Sequence, residues 1–205
     1  MKKLILASAS PRRAALLRQV GIPFAVVVPA VQETIRDLPP DKLAVSLALD
    51  KAAAAARQFL QGLVLGADTL VVCAGKIMGK PRDAAAARRM LETLSGREHS
   101  VFTGLALIDA ATGRTETAWA ETRVWMRSLE RELIDAYLAT GEPMDKAGAY
   151  GIQEKAAFFI ERIEGCYTNV VGLPLNQLYL LLSRMDIKPW QYWRDSGEAG
   201  RAVYD

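Results

Sequence analysis

The sequence predicts a mixed α/β fold, in which helices pack on a twisted sheet of parallel and antiparallel strands. Helical and strand-like segments are interspersed along the 205 residues, an order typical of α/β layers. Strand-like segments at 101–108 and 116–126 are joined by a turn near Thr112, and so long a hairpin requires antiparallel pairing within the sheet. We expect one domain at residues 1–187, followed by a C-terminal tail at 188–205.

The first half of the chain predicts a strand, a helix, a second strand, and then a long helix and a long strand. Ser10 and Pro11 mark a helix start, because serine is a strong N-cap and proline suits the first helical position; Gly21 is placed to end that helix. An alanine-rich run with leucines at helical spacing predicts the long helix. The elements expected here are a strand at 3–7, a helix from 11 to the glycine at 21, a strand at 24–29, a helix at 40–59, a strand at 63–73 and a short strand at 76–78.

The second half predicts a helix, the long hairpin, a further helix, a glycine-rich loop, a strand and a last helix. Gly96 ends the first of these helices, and Ser128 is a candidate cap for the second. The elements expected here are a helix at 84–94, the hairpin strands at 101–108 and 116–126, a helix at 129–140, a strand at 157–163 and a helix at 175–184.

The composition is that of an ordinary globular protein, with 51% hydrophobic and 24% charged residues. A net charge of +3 is too small to indicate a nucleic-acid partner. No run approaches the roughly 18 apolar residues of a membrane span, and the apolar N-terminal run is too short for a signal peptide. Cys73 and Cys166 lack metal-ligand spacing, which favours free thiols. We therefore expect a cytoplasmic protein without a membrane partner.

The segment Ser8-Ala9-Ser10-Pro11-Arg12-Arg13 lies between a predicted strand and a predicted helix. Free backbone N–H groups at a helix start, two hydroxyls and two guanidinium groups form a candidate anion site. An ordinary N-cap beside two solvated arginines explains the same residues.

Asp68 is flanked on both sides by strand-forming apolar residues, in Leu63-Val64-Leu65-Gly66-Ala67-Asp68-Thr69-Leu70-Val71-Val72. A carboxylate is costly to bury without a partner, and Asp is depleted in strands, so this position favours a metal ion or a catalytic water. The alternative is an Asp on the exposed face of an edge strand.

Three further charged residues and one loop are candidates for the same site. Glu33 follows a predicted strand, Lys51 lies on the alanine-rich helix, and Lys80 lies in Gly79-Lys80-Pro81. The loop at 141–153 holds glycines through which a backbone approaches a ligand closely. There is no Gly-x-x-x-x-Gly-Lys-Ser/Thr loop, and the single histidine, His99, fits a strand end better than a zinc site or a catalytic triad.

Together these segments resemble the Maf family of nucleoside triphosphate pyrophosphatases, over residues 4 to about 182. The matching pieces are Ser8-x-Ser10-Pro11-Arg12-Arg13, Glu33, Lys51-Ala52, Gly66-Ala67-Asp68-Thr69, Gly79-Lys80-Pro81, Thr103-Gly104, Asp145-Lys146-Ala147-Gly148-Ala149-Tyr150-Gly151-Ile152-Gln153 and Asn169-Val170-Val171-Gly172-Leu173-Pro174. The form of the loop at 145–153 is similar to the subgroup that acts on dTTP and UTP. One departure is Glu154, where the family usually has glycine.

The resemblance implies two lobes around a central cleft, as in inosine triphosphate pyrophosphatase-like folds, and it also implies a divalent cation (Mg²⁺ or Mn²⁺) and a homodimer. It implies Asp68 as the general base or as the acid that organises the attacking water, with Glu33 as its helper or as a metal ligand. Our hypothesis is that both carboxylates supply oxygen ligands to the metal. The remaining positions hold the nucleoside triphosphate or set substrate preference, and these are Ser8, Arg12, Arg13, Lys51, Thr69, Lys80 and Gln153.

Base selection is a separate hypothesis. The Gln153 amide has both a donor and an acceptor, which suits a carbonyl and the ring N–H of uracil or thymine. Three other functions stay open at this point: a pyrophosphatase for modified nucleotides such as 7-methyl-GTP, a nucleotide-binding regulator of septum formation or division arrest, and a nucleic-acid-binding protein. Only a few residues of the tail support the last, and these are Lys188, Trp190, Tyr192, Trp193 and Arg194.

Overall fold

A seven-stranded mixed sheet forms the centre of the protein. The structure is a computed structural model, which describes residues 2–31 and 36–195, with side chains up to residue 193. The strands are β1 (Leu4–Leu6), β2 (Phe24–Val26), β3 (Leu63–Cys73), β4 (Lys76–Met78), β5 (Glu98–Asp109), β6 (Thr115–Met126) and β7 (Ile160–Glu164). Their order in the sheet is β2-β1-β3-β5-β6-β7, and β4 pairs with β3 beside that path.

Helices cover both faces of this sheet. They are α1 (Pro11–Gln19), α2 (Pro40–Ala56), α3 (Ala84–Leu94), α4 (Arg131–Ala139), α5 (Tyr167–Val171), α6 (Leu175–Arg184) and α7 (Gln191–Asp195), with 3₁₀ helices at Glu142–Asp145, Ala147–Ala149 and Lys155–Phe159. The predicted mixed α/β fold with flanking helices is confirmed. No helix in the ranges given above is long and apolar enough to cross a bilayer.

The sheet has an opening along one edge of β3. β1 runs parallel to β2 and to β3, and its pairing with β3 covers only Leu63 to Leu65. On the same edge of β3, β4 pairs from Val71 to Cys73, while β5 pairs antiparallel along nearly all of the opposite edge. The stretch at 66–70 is therefore paired on one side only, and it lies just beyond the carboxyl end of β1, where ligands bind in open α/β sheets.

Alternate residues of β3 contact different helices. Leu63 and Leu65 face a cluster with α1 and α6, whereas Val71 and Cys73, further along the same face, pack with α3 and α4. Val64, on the opposite face, packs against the alanines of α2. The two clusters on one face form two lobes, with the opening of β3 between them.

Most predicted element bounds agree with the structure, and Ser10 caps α1 as expected, accepting a hydrogen bond from the backbone N–H of Arg13. The second strand is shorter than predicted, because β2 is an edge strand that pairs only with the three residues of β1. Ser128 is not the cap of α4: Glu130 holds that position without a side-chain hydrogen bond.

The strand expected at 157–163 begins only at Ile160. The preceding residues form a 3₁₀ helix because Ala156 and Phe159, three residues apart, are both buried, which is 3₁₀ and not strand spacing. The Phe159 ring meets Tyr137 of α4 edge-on, with centroids 5.0 Å apart.

The predicted tail starts with a short helix that packs on the domain. Tyr192 of α7 is buried in the cluster with α1 and α6, and its hydroxyl donates to the Lys2 carbonyl oxygen at 3.0 Å. Trp193 Nε1 donates to the Val20 carbonyl oxygen at 2.7 Å. Two of the tail residues that suggested nucleic-acid binding thus contact the domain, and the Arg194 side chain lies outside the described residues.

Candidate active site

A cleft of about 810 Å³ opens beside the singly paired stretch of β3. One wall comes from the loop after β1 and the first turn of α1, and the other comes from the loop after β4 and the loop at 145–153. The lining includes Val171 from the cluster with α1 and α6, and Val71 and Tyr150 from the cluster with α3 and α4. The cleft therefore lies between the two lobes.

Asp68 lies in this cleft with only 7% of its surface exposed. The alternative of an exposed Asp on an edge strand is wrong, because β3 lies inside the sheet between β1 and β5. Lys51 of α2 donates a hydrogen bond to Asp68 Oδ1, and this pairing offsets the cost of burying the carboxylate.

Two glycines allow α2 to lie close enough to the sheet for that contact. A methyl group at Gly66 would overlap the Ala48 carbonyl oxygen and lie 2.9 Å from Ala52 Cβ, and one at Gly104 would overlap the backbone of Ala44. Because α2 rests directly on the backbone of β3 and β5 at these points, the residue before Ala52, Lys51, reaches Asp68.

Arg13 is nearly buried, and its guanidinium joins three separated parts of the chain. Its Nε donates to the Gly172 carbonyl oxygen at 2.8 Å, Nη1 donates to Ser8 Oγ at 3.0 Å, and Nη2 donates to Thr69 Oγ1 at 3.1 Å. Thr69 in turn lies 3.0 Å from Thr103 across the β3–β5 pair. These contacts give Arg13 a role in placing Ser8 and Thr69 at the cleft.

Arg12 spans the mouth of the cleft. Its Nη1 donates to Asp145 Oδ2 at 2.8 Å, and Lys146 Nζ donates to Asp145 Oδ1 at the same distance. Partial burial acts to raise the pKa of Asp145, but hydrogen bonds from Lys146 and Arg12 outweigh it and hold the pKa below its usual value. The carboxylate thus remains charged between two cations.

The loop at 145–153 is tied to the rest of the cleft by its backbone and by one buried pair. Gly148 N–H donates to the Gly79 carbonyl oxygen at 3.0 Å, next to Lys80. The Tyr150 hydroxyl lies 2.6 Å from His99 Nε2, and burial raises the pKa of Tyr150, so the hydroxyl stays protonated at neutral pH. His99 is the second residue of β5, as expected for a strand-end residue, and binds this loop in place.

The structure brings eight of the nine predicted site residues to this one cleft. These are Ser8, Arg12, Arg13, Lys51, Asp68, Thr69, Lys80 and Gln153. The ninth, Glu33, lies outside the described residues. The chemical roles expected for all nine stay predictions.

Sequence reasoning gave no role to three further residues of the lining, Asp145, Lys146 and Tyr150. They stand in the loop that carried the family resemblance, but each owes its place to a partner distant in sequence or to the fold of the loop. Tyr150 and His99 are 51 positions apart, and no local pattern connects them.

The charge of the lining suits a polyanion. The described lining residues include five cationic side chains and two carboxylates. The cations are Arg12, Arg13, Lys51, Lys80 and Lys146, and the carboxylates are Asp68 and Asp145. Within residues 2–31 and 36–195, no three His, Cys, Asp or Glu side chains group as a metal site. Magnesium commonly binds through one or two carboxylates, water and substrate phosphates, so Asp68 fits a cation that is shared with a polyphosphate.

Comparison with known proteins gives consistent matches over most of the chain. A family model described as Maf-like protein matches residues 3–185. The dTTP/UTP pyrophosphatase of Moorella thermoacetica is 51% identical over 191 residues, which are 93% of this chain and 98% of the relative. The protein of the same name from Carboxydothermus hydrogenoformans is 45% identical, over 93% of this chain and 100% of the relative.

A third relative, the dTTP/UTP pyrophosphatase of Bacillus cytotoxicus, is 49% identical over 91% of this chain and 97% of its own length. Among solved structures, that of the Staphylococcus aureus Ham1 protein aligns with a TM-score of 0.49 at 13% identity, over 90% of this chain and 100% of that chain. This last likeness is too low to support an argument.

Proposed function

Because this chain belongs to the Maf family, we propose that it hydrolyses dTTP and UTP, each to the nucleoside monophosphate and pyrophosphate. It is a nucleoside triphosphate pyrophosphatase, and the relatives that match over nine-tenths of its length carry the name dTTP/UTP pyrophosphatase. The observation that carries the proposal is the buried Asp68, paired with Lys51 in a cleft lined by further cations.

In the reaction, the oxygen of a water molecule bonds to the α-phosphorus, and the bond from that phosphorus to the α–β bridging oxygen breaks. The bridging oxygen and its electron pair leave with pyrophosphate, and one proton leaves the water. Asp68 Oδ2 has no hydrogen-bond partner among the described residues, and we assign it to orient this water and accept its proton.

The cations of the cleft offset the charge that grows on the phosphoryl oxygens. Lys51 holds the Asp68 carboxylate in one orientation, and the positive charge of Lys51 lies in the lining of the cleft. Lys80 and Arg12 lie on opposite walls, where they can contact different phosphates of one triphosphate. Arg13 holds Ser8 and Thr69, which orients their hydroxyls towards the substrate.

A divalent cation, Mg²⁺ or Mn²⁺, is part of the proposal. Asp68, with Glu33, would hold it, and the phosphate oxygens of the substrate would complete its ligands. When bound, such a cation neutralises phosphate charge and lowers the pKa of a bound water. The test is titration of the protein with Mn²⁺ by calorimetry, with and without a non-hydrolysable UTP analogue, since tight binding without nucleotide would contradict a shared site.

The identity of the cleaved bond is tested by incubating the protein with UTP and dTTP in the presence of Mg²⁺ or Mn²⁺. Cleavage between the α and β phosphates gives the monophosphate and pyrophosphate. Release of orthophosphate and a diphosphate contradicts the proposal, and so does a wild-type protein that hydrolyses neither nucleotide.

The role of Asp68 is tested with Asp68→Asn, which keeps the shape of the side chain but removes its basicity. We expect kcat to fall by about 10²- to 10⁴-fold, the range of general acid–base catalysis. Asp135→Asn is the matched control, because Asp135 lies on α4 and pairs with Arg88, outside the cleft lining. Near wild-type turnover by Asp68→Asn means that another group is the base.

The expected homodimer and the expected cytoplasmic location stay predictions. Sedimentation of the purified chain at several concentrations measures the first, and a single monomeric species at all of them contradicts it.

A further inference from the structure

Gln153 enters the cleft without a hydrogen bond from its side chain to any described residue. An exposed amide of this kind can discriminate between bases only when its backbone is fixed, because a mobile amide adapts to any base edge. The chain on either side of Gln153 therefore decides how well the side chain selects.

Lys146 contacts the chain just before Gln153. Its side chain is only 7% exposed, and its stem lies against the backbone of Gly151. A methyl group at Gly151 would lie 2.6 Å from Lys146 Cε and 2.8 Å from Cδ, so the glycine leaves room for the lysine. The stem thus packs two residues before the selecting amide.

The Lys146 ammonium contacts the chain just after Gln153. Glu154 Oε2 lies 3.6 Å from Lys146 Nζ, which also donates to the Glu142 carbonyl oxygen at 2.7 Å and to Asp145 Oδ1 at 2.8 Å. Two of the three ammonium donors thus make hydrogen bonds, and the Glu154 carboxylate adds an ion pair.

We propose that Lys146 is a positioning residue that sets the base preference of the enzyme. It contacts the chain on both sides of Gln153, through its stem at the Gly151 backbone and through its ammonium at the Glu154 carboxylate, and so fixes the amide for the carbonyl and ring N–H of uracil or thymine. This inference rests on the proposed function. Lys146 serves the loop itself, because its ammonium makes two hydrogen bonds and one ion pair there, and the other cations hold the triphosphate.

The test compares UTP with CTP, which differ only in the base, as the ratio of their kcat/KM values. Lys146→Met keeps the stem and removes the charge, whereas Gly151→Ala keeps the charge and displaces the stem. We expect each variant to lower the ratio about five- to tenfold, the discrimination that one well-placed hydrogen bond supplies. Glu154→Gly removes one of three contacts, and a fall of about two- to threefold is expected.

Lys155→Met is the matched control, because Lys155 is an exposed lysine of the same loop region, paired with Glu142 at 3.5 Å. It should leave the ratio within about twofold of wild type. Lys146→Arg keeps the charge and should recover part of the ratio lost in Lys146→Met. Thermal unfolding of each variant establishes that it is folded.

Two results overturn the inference. An equal fall of kcat/KM for UTP and CTP in Lys146→Met means that Lys146 acts on the shared triphosphate, and an unchanged ratio in both Lys146→Met and Gly151→Ala means that Gln153 needs no such support. Failure of the wild-type protein to hydrolyse UTP or dTTP is a different outcome, since it removes the proposed function itself.

Discussion

Acidification is expected to weaken the folded protein through its single histidine. His99 is 2% exposed, and this burial lowers its pKa to about 4, against an opposing effect of the Arg97 backbone. The unfolded chain takes up this proton near pH 6.5, whereas the folded chain does so only near pH 4. The contribution of His99 to the free energy of unfolding is therefore fully present above pH 6.5 and declines as the pH falls from 6.5 to 4.

The size of this effect follows from the two pKa values. Their difference corresponds to about 3 kcal/mol of unfolding free energy over the whole range, at about 1.4 kcal/mol for each pH unit. About 2 kcal/mol of that is expected to be lost between about pH 7 and pH 5. Against a typical stability of about 5–15 kcal/mol, such a loss is readily measured.

The assay is urea unfolding, followed by tryptophan fluorescence, at several pH values between about 7 and 5. His99→Gln is the reference, because both proteins share every carboxylate that titrates in acid and differ only at the imidazole. The difference in unfolding free energy between the wild-type protein and His99→Gln should narrow by about 2 kcal/mol as the pH falls from about 7 to 5. Because the chain has one histidine, NMR of its ring protons also reads the pKa directly. Parallel pH curves for the two proteins, or a ring pKa near 6.5, refute the reasoning.

Three further substitutions test the packing around the cleft. Gly66→Ala forces α2 off the sheet, so we expect the free energy of unfolding in urea to fall by about 2 kcal/mol or more. We also expect a lower kcat, because Lys51 is displaced. Gly79→Ala is the control, since an added methyl meets nothing within 4 Å there and should leave the free energy of unfolding nearly unchanged. Arg13→Lys removes the guanidinium that joins Gly172, Ser8 and Thr69. Because about three charge-assisted hydrogen bonds are disturbed, the free energy of unfolding should fall by more than about 1 kcal/mol. An unaltered urea midpoint would mean that these hydrogen bonds do not stabilise the fold. Tyr192→Phe should lower the unfolding free energy by about 1 kcal/mol through the lost hydrogen bond to Lys2, and an unchanged value means that this hydrogen bond does not stabilise the docking of α7.

Elements with strong local signals were predictable from the sequence. The bounds of β3 and α3 agree with the structure, since one is a long apolar run and the other lies between the N-cap Asp83 and the glycine at 96. α5 was missed because its residues, including Thr168 and Val170, have low helix propensity. Tertiary contacts stabilise it instead: Asn169 is fully buried and donates to the Val101 carbonyl oxygen and to Thr122.

The residue types of the site were predictable, but their contacts were not. Asp68 was identifiable because a carboxylate within an apolar strand needs a partner. That the partner includes Lys51 depends on how α2 lies over the sheet, which the close approach at Gly66 and Gly104 decides. The contacts of Lys146 with the Gly151 backbone and with the Glu154 carboxylate depend on how the loop folds, which spacing along the sequence does not reveal.

The three anchors of Arg13 also bear on how the protein is made. Ser8 lies near the start of the chain, Thr69 in its first half and Gly172 close to its end. A ribosome must therefore synthesise the chain through Gly172 before the Arg13 guanidinium can bond to all three of these acceptors. Nascent or prematurely terminated chains that stop short of Gly172 would carry Asp68 and Lys51 but lack one of the three anchors of Arg13, and we expect them to have no hydrolytic activity.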